Sequence, residues 1–265
     1  MRLHKYLNVA FLFLLLAAFS ACKKVINVNL NSTNPLYVVQ GNVTNQPGPY
    51  VVSITKSINF DQDNVFPTVS GAVVVITDVT AGQVDTLAEG TPGNYNTHII
   101  TGTPGHTYKL YVNAANNIFT ASSTMPAMVT LDSLYTQPSP FGGKHPELVP
   151  EYTDPTLVGV NYHYYHFMEY KNDTESSDVL VRNDALINGQ VIKQPIGGDA
   201  LNPGDSVAVY MECIDSGVYV YYSTLNQTNN QNSATPANPL TNLTGGALGY
   251  FSAHTSSFRS LIVHP

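Results

Sequence analysis

Turn signals recur so closely through residues 36–126 that little besides short strands can lie between them. Gln46-Pro47-Gly48-Pro49, Thr91-Pro92-Gly93, Thr103-Pro104-Gly105 and Asn116-Asn117 each favour a reversal of the backbone. Between them stand LYVVQGNVT (36–44), YVVSITKSI (50–58), GAVVVITD (71–78), QVDTLAE (83–89), NYNTHII (94–100), HTYKLYVN (106–113) and NIFTASST (117–124). In the second run Val51, Ser53 and Thr55 alternate with Val52, Ile54 and Lys56, which leaves one face dry. Seven short strands at this spacing predict a seven-stranded Greek-key sandwich. Composition agrees. Charged residues make up only 11% of the chain, against roughly 25% in an ordinary soluble domain. The polar surface therefore falls to Asn, Thr, Ser, Gln and the 17 Tyr, while 19 Gly and 17 Pro suit tight turns.

Residues 127–265 read as a second β-rich domain. MPAMVTLDSLY (125–135) is the expected crossover, and the proline-rich stretch 138–156 an extended loop. VGVNYHYYHFMEYK (158–171) is expected to be a long aromatic strand with rings on both faces, Tyr162, Tyr164, Tyr165 and Phe167 among them. Core packing accounts for one face; the other either stacks a ligand or buries against the first domain. Asn188-Gly189 predicts a hairpin between DVLVRNDALI and QVIKQPI. Residues 215–228 are read as one short helix, with Asp215 or Ser216 as cap and Val218, Tyr221, Tyr222 and Leu225 on one face. GALGYF and SFRSLIV are expected to close the sheet.

The N-terminus carries Arg2 and Lys5, then the apolar run VAFLFLLLAA (9–18), then FSAC. A basic start, a short apolar core and small residues before a cut predict a secretory signal over 1–21. The stretch ending at Cys22 resembles a lipobox, with Phe19 where Leu is commoner. That resemblance implies lipidation of Cys22, and several acyl chains at ~0.8 kcal/mol per buried CH₂ anchor a protein stably. The alternative is an ordinary cleaved signal with a coincidental Cys. Residues 22–35 then form a tether. The formal charge of −7 becomes more negative once Arg2 and Lys5 leave with the signal. No basic cluster remains apart from Lys23-Lys24, which argues against nucleic-acid binding. With Cys22 lipidated, Cys213 has no disulfide partner, and its apolar setting VAVYMECI predicts a buried, inert thiol.

Two resemblances follow from these motifs. SGAVVVITD, EGTPGNY, GTPGHTYKLYV and FTASSTMP in that order resemble the transthyretin-like or carboxypeptidase-regulatory type of β-sandwich, and imply corner and core roles for Tyr95 and Tyr108. The mature chain as a whole, from VINVNL after Cys22 to NPLTNLTGGALGYFSAHT, resembles a lipoprotein family of Bacteroidota described only as a domain of unknown function. Its members look like outer-membrane lipoproteins encoded beside TonB-dependent receptors. The resemblance implies a helper at the outer membrane, carries no catalytic residues, and calls for no cofactor. Lys23-Lys24-Val25-Ile26 lacks the acidic residues common behind the lipidated Cys of surface-exposed relatives, so both leaflets stay open.

Motifs of chemistry are sparse. His163 and His166, three apart on a strand, point to opposite faces and make no metal pair; no metal is expected. Asp61-Gln62-Asp63-Asn64 lacks the Gly and distal Glu of a calcium loop. Glu147, Glu151, Asp154 and Glu169 are available carboxylates without a defined geometry. Three functions compete: a non-catalytic accessory lipoprotein of a TonB-dependent receptor, a glycan- or matrix-binding adhesin-like lipoprotein, and, behind these, a hydrolase. For a partner surface the choice falls on residues 238–251, with Asn242, Leu243, Thr244 and Tyr250, on the ground that loops of a rigid scaffold carry binding. Against it, Gly245, Gly246 and Gly249 could serve only a tight backbone path, with Tyr250 and Phe251 in the core.

Overall fold

Each of the seven expected strand runs contributes a strand in a computed structural model that describes residues 34–59, 62–140, 142–156, 163–197, 200–229 and 238–264. Cys22, the signal, nearly all of the tether, Asp61, and residues 158–162 of the expected aromatic strand, Tyr162 among them, lie outside the described residues. The described residues are mainly β, with one short helix among them. β1 (Tyr37–Thr44), β2 (Val51–Lys56), β5 (Ala88–Glu89) and β6 (Asn94–Asn96) belong to one sheet. β3 (Val73–Asp78), β4 (Gln83–Thr86), β7 (Thr107–Ala114) and β8 (Asn117–Thr124) form a second sheet in the order β4-β3-β7-β8. Period-2 alternation does the sorting. Val52 and Ile54, Val74 and Ile76, and Tyr108, Leu110 and Val112 all turn into one core.

Tyrosines lock the corners of this sandwich. The Tyr95 hydroxyl donates to Val69 O and accepts from Ala72 N; the Tyr108 hydroxyl donates to Thr101 O and accepts from Thr103 N. Both rings are buried, as the corner reading expects. Tyr50 does the same for residues 44–46 and Gly102.

The second half holds β9 (Leu131–Gln137), β10 (Glu147–Thr153), β11 (Tyr164–Lys171), β12 (Thr174–Glu175), β13 (Leu180–Asn183), β14 (Val191–Ile192), β15 (Ser206–Ile214), helix α1 (Ser216–Asn229) and β16 (Leu248–Ile262). Three expectations change here. The stretch 138–156 is not loop throughout, because β10 occupies Glu147–Thr153 and pairs with β9. The Asn188-Gly189 hairpin does not form. β13 pairs with β11 and β14 with β10, so the strands flanking that turn go to different sheets. The tight hairpin of this region is instead at Asn172-Asp173, both with positive φ (48° and 63°), between β11 and β12. GALGYF and SFRSLIV are one strand, β16. Its first half runs parallel to β1 (Val38↔Leu248 to Thr44↔His254), and its second half antiparallel to β15 (Cys213↔Thr255 to Ser206↔Ile262).

β16 therefore joins two cores within the unit Pro35–Pro265 and carries the large sheet across the 126/127 boundary. Phe251 and Ala253 enter the first core with residues 39–125. Val263 joins the second, with Tyr152, Tyr165, Phe167, Val209, Met211 and Cys213. The Cys213 thiol is fully buried, accepts from Val129 N at 3.3 Å and is pushed up to about 11 by that burial, which is the inert thiol expected. α1 starts where its cap predicts, with Asp215 Oδ1 accepting from Val218 N at 2.9 Å.

Candidate functional site

The residues 238–251 expected to form a partner surface do not share one face. The outward edge of β16 between Gly249 and Ala253 has no strand beside it, and side chains satisfy it instead. Asn242 Nδ2 donates to Phe251 O at 2.7 Å and its Oδ1 accepts from Phe251 N at 3.0 Å. Thr241 Oγ1 donates to Gly249 O at 2.7 Å, and Ser123 Oγ accepts from Ala253 N at 2.8 Å. An unpaired buried amide is costly, so this clasp is structural. Leu243 is buried in the first core. Gly249 and Gly245 have positive φ (96° and 85°), and a Cβ on either would overlap the Val39 or Ile118 carbonyl. Tyr250 faces α1, where its ring lies 4.9 Å from Tyr221 and 5.3 Å from Tyr222.

Thr244 does reach a surface. Its N–H donates to Thr120 O at 2.8 Å and its hydroxyl meets Thr120 Oγ1 at 2.7 Å, which extends the β4-β3-β7-β8 sheet by one row position. The register places Thr86, Val75, Tyr111 and Thr120 in line across the outer face, and Thr244 continues that line. Thr77, Lys109 and Ser122 form the next line. Thr77, Lys109, Tyr111, Thr120, Ser122 and Thr244 from these lines, with Asn242, border a groove of about 650 Å³. Hydroxyls, one amide, one lysine and one half-exposed tyrosine ring suit a neutral polar ligand or a protein edge. Lys109 and Tyr111 are readable in HTYKLYV, since Tyr108, Leu110 and Val112 point the other way.

The aromatic strand β11 splits its rings as alternation requires. Tyr165 and Phe167 enter the second core. On the other face Tyr164 lies 4.7 Å from Tyr219, and His166 stacks on Tyr222 at 4.0 Å and 12°. The start of that face is covered by α1, not by the first sandwich; farther along, Tyr170 is partly buried and continues through Tyr210 to the exposed Phe258.

Beneath α1 lies a buried polar chain. Glu212 on β15 meets His166 Nδ1 at 2.9 Å and His254 Nε2 at 3.1 Å, and His254 Nδ1 meets Ser252 Oγ at 2.9 Å. Burial pushes the Glu212 carboxyl up, but His254 and His166 more than offset this and hold it well below the usual carboxylate range. A Ser-His-Glu set invites comparison with a nucleophilic triad, yet Ser252 is 1% exposed and His254 and Glu212 are buried with it, which leaves a nucleophile no open approach. It holds three neighbouring strands in register.

The remaining acids scatter. Glu151 pairs with Lys193 at 3.1 Å. Glu147 and Glu169 border one small cavity of about 200 Å³ beside His145. Asp154 lies apart from these, next to His163 and Asp184, with side-chain ligand atoms of the three within 4.8 Å of one another. His163 and His166 do face opposite ways, as the strand period expects, but His163 meets carboxylates that sequence spacing could not bring to it. Among the described residues no helix is long and apolar enough to cross a membrane.

No curated protein matches the chain. A family does: the one described as Domain of unknown function (DUF4249) matches residues 23–260. The match spans both cores, the Asn242 clasp and the outer-face groove, and the chain is a member of the DUF4249 family.

Proposed function

We propose that this protein is a lipid-anchored, non-catalytic accessory lipoprotein of the outer membrane, and that it works with a TonB-dependent receptor through the outer face of the β4-β3-β7-β8 sheet. The observation that carries the reading is the position of the family match. It begins at residue 23, directly behind the Cys22 of the lipobox-like stretch, so the matched body is what a lipoprotein signal would leave. Supporting it, the groove around Tyr111 and Thr244 is wide, open and almost uncharged, whereas the polar chain under α1 is sealed. A second reading, glycan binding, is favoured by the same Tyr111 ring flanked by the hydroxyls of Thr120, Ser122 and Thr244.

The test is co-purification from detergent-solubilised outer membranes. The wild-type chain should bring down a TonB-dependent receptor. Lys109→Glu with Tyr111→Asp should lose it with little change in melting temperature, because both side chains are exposed on the outer face. A wild-type chain that brings down no receptor, yet labels a defined glycan on an array, would replace the first reading with the second. Cys22→Ser should lose both palmitate labelling and membrane retention; a Cys22→Ser variant that stays in the membrane would remove the anchor from the proposal.

A further inference from the structure

We propose that Asp154, His163 and Asp184 bind one divalent first-row transition cation, with Zn²⁺ the best match. The three residues sit at strand ends that converge: Asp154 just after β10, His163 just before β11, and Asp184 just after β13. Relative exposures of 1%, 8% and 1% put all three in the interior. Two buried carboxylates beside an imidazole form a costly arrangement unless something neutralises it.

No described side chain outside the three does so. Neither oxygen of the Asp184 carboxylate accepts a hydrogen bond, and His163 Nδ1 has none. The adjacent cations are engaged elsewhere. Arg182 donates to the Gln194 and Pro195 carbonyls, and Lys193 pairs with Glu151. The separation of His163 Nδ1 from Asp184 Oδ2 is 3.4 Å. Two ligands at roughly 2.1 Å from a metal subtend about that edge across a tetrahedral angle. Every ligand atom of the set lies within 4.8 Å of the others, so small side-chain rotations bring them onto one centre.

The outer shell is also in place. Tyr165 Oη donates to Asp154 Oδ1 at 2.5 Å and Gly189 N donates to Oδ2 at 3.3 Å, which orients the carboxylate while leaving lone pairs for an ion. Asp184 N donates to His163 O at 3.1 Å and ties two of the ligands together through their backbones. One nitrogen and two carboxylate oxygens suit Zn²⁺ or Mn²⁺ better than Ca²⁺, whose sites are built from oxygen alone. The ion would clamp the β14-β10-β9 sheet to the β11 edge of the large sheet, a structural role independent of the outer-face groove.

The experiment uses the full chain purified in detergent, stripped with EDTA and offered ZnCl₂, MnCl₂ or CaCl₂. One equivalent of Zn²⁺ or Mn²⁺ should survive gel filtration when measured by mass spectrometry. At a hundredfold excess over Kd the melting temperature should rise by about 5–10 °C. Asp184→Asn and His163→Gln should each lose the equivalent and the shift. In EDTA, Asp184→Asn should melt at or above the wild type, since it removes one of two buried carboxylates that share a single imidazole; this separates lost binding from lost folding. Wild-type protein that retains neither Zn²⁺ nor Mn²⁺ overturns the proposal. So does preferential retention of Ca²⁺, or an Asp184→Asn variant that keeps its full equivalent.

Discussion

The two cores handle buried polarity in opposite ways. In the first, each buried carboxylate is used to tie down backbone. Asp85 accepts N–H groups of His98, Ile99 and Ile100 at 2.7–3.1 Å, and Asp78 accepts those of Thr80 and Ala81 while meeting His106 at 2.7 Å. Among the described residues 34–151 no buried side-chain polar atom lacks a hydrogen bond. In the second core, buried polar side chains meet one another instead: Glu212 with two histidines, Asp154 with Tyr165, and Asp184 with nothing but a near histidine. A sandwich satisfied in this way is a scaffold. A region that keeps ionisable groups buried and unmatched carries a cost in stability, and such costs concentrate where a ligand or a structural ion belongs.

The comparison breaks if the two cores melt separately, and β16 is where to test it. Phe251→Ala empties a site in the first core with the residue that β16 supplies. It should cost about 3–5 kcal/mol. Denaturation followed by tyrosine fluorescence and by far-UV circular dichroism should show one coincident transition at a lower midpoint; two transitions would mean that β16 links the cores only weakly.

Next in size is Glu212→Ala, which leaves His166 and His254 without their shared acceptor under α1. The loss should be about 3 kcal/mol, since removing one partner strands the others in the interior. A urea midpoint within error of the wild type would mean that water reaches these histidines, contrary to the sealed site described above.

The smallest effect belongs to the first core. Burial pushes the Asp85 carboxyl up, but the three N–H donors and His98 outweigh it and leave it below its ordinary value. A carboxylate lowered by folding stabilises above the unfolded carboxylate range, about pH 4, and loses that contribution as pH falls through the lower folded value. Asp85→Asn should therefore cost about 2 kcal/mol at pH 7, and the difference from wild type should shrink towards pH 2–3. A pH-independent difference would assign the loss to geometry alone.

Much of the architecture is legible along the chain. Alternation in YVVSITKSI and HTYKLYVN sets which side chains are buried, Pro-Gly turns delimit the strands, and Asp215 marks the helix start, because each depends on contacts a few residues apart. The same locality explains the failures. Asn188-Gly189 has hairpin chemistry, yet β13 and β14 find better partners in β11 and β10, and propensity yields to pairing. Asn242 has the chemistry of a loop residue and serves as the clasp for Phe251, since the free edge it satisfies exists only once β16 has paired with β1. Asp154, His163 and Asp184 are separated by 9 and 21 residues, and no periodicity relates them. Local sequence settled what each segment is. Long-range strand pairing, whose register depends on the whole core, decided which segments meet and therefore where the buried carboxylates converge.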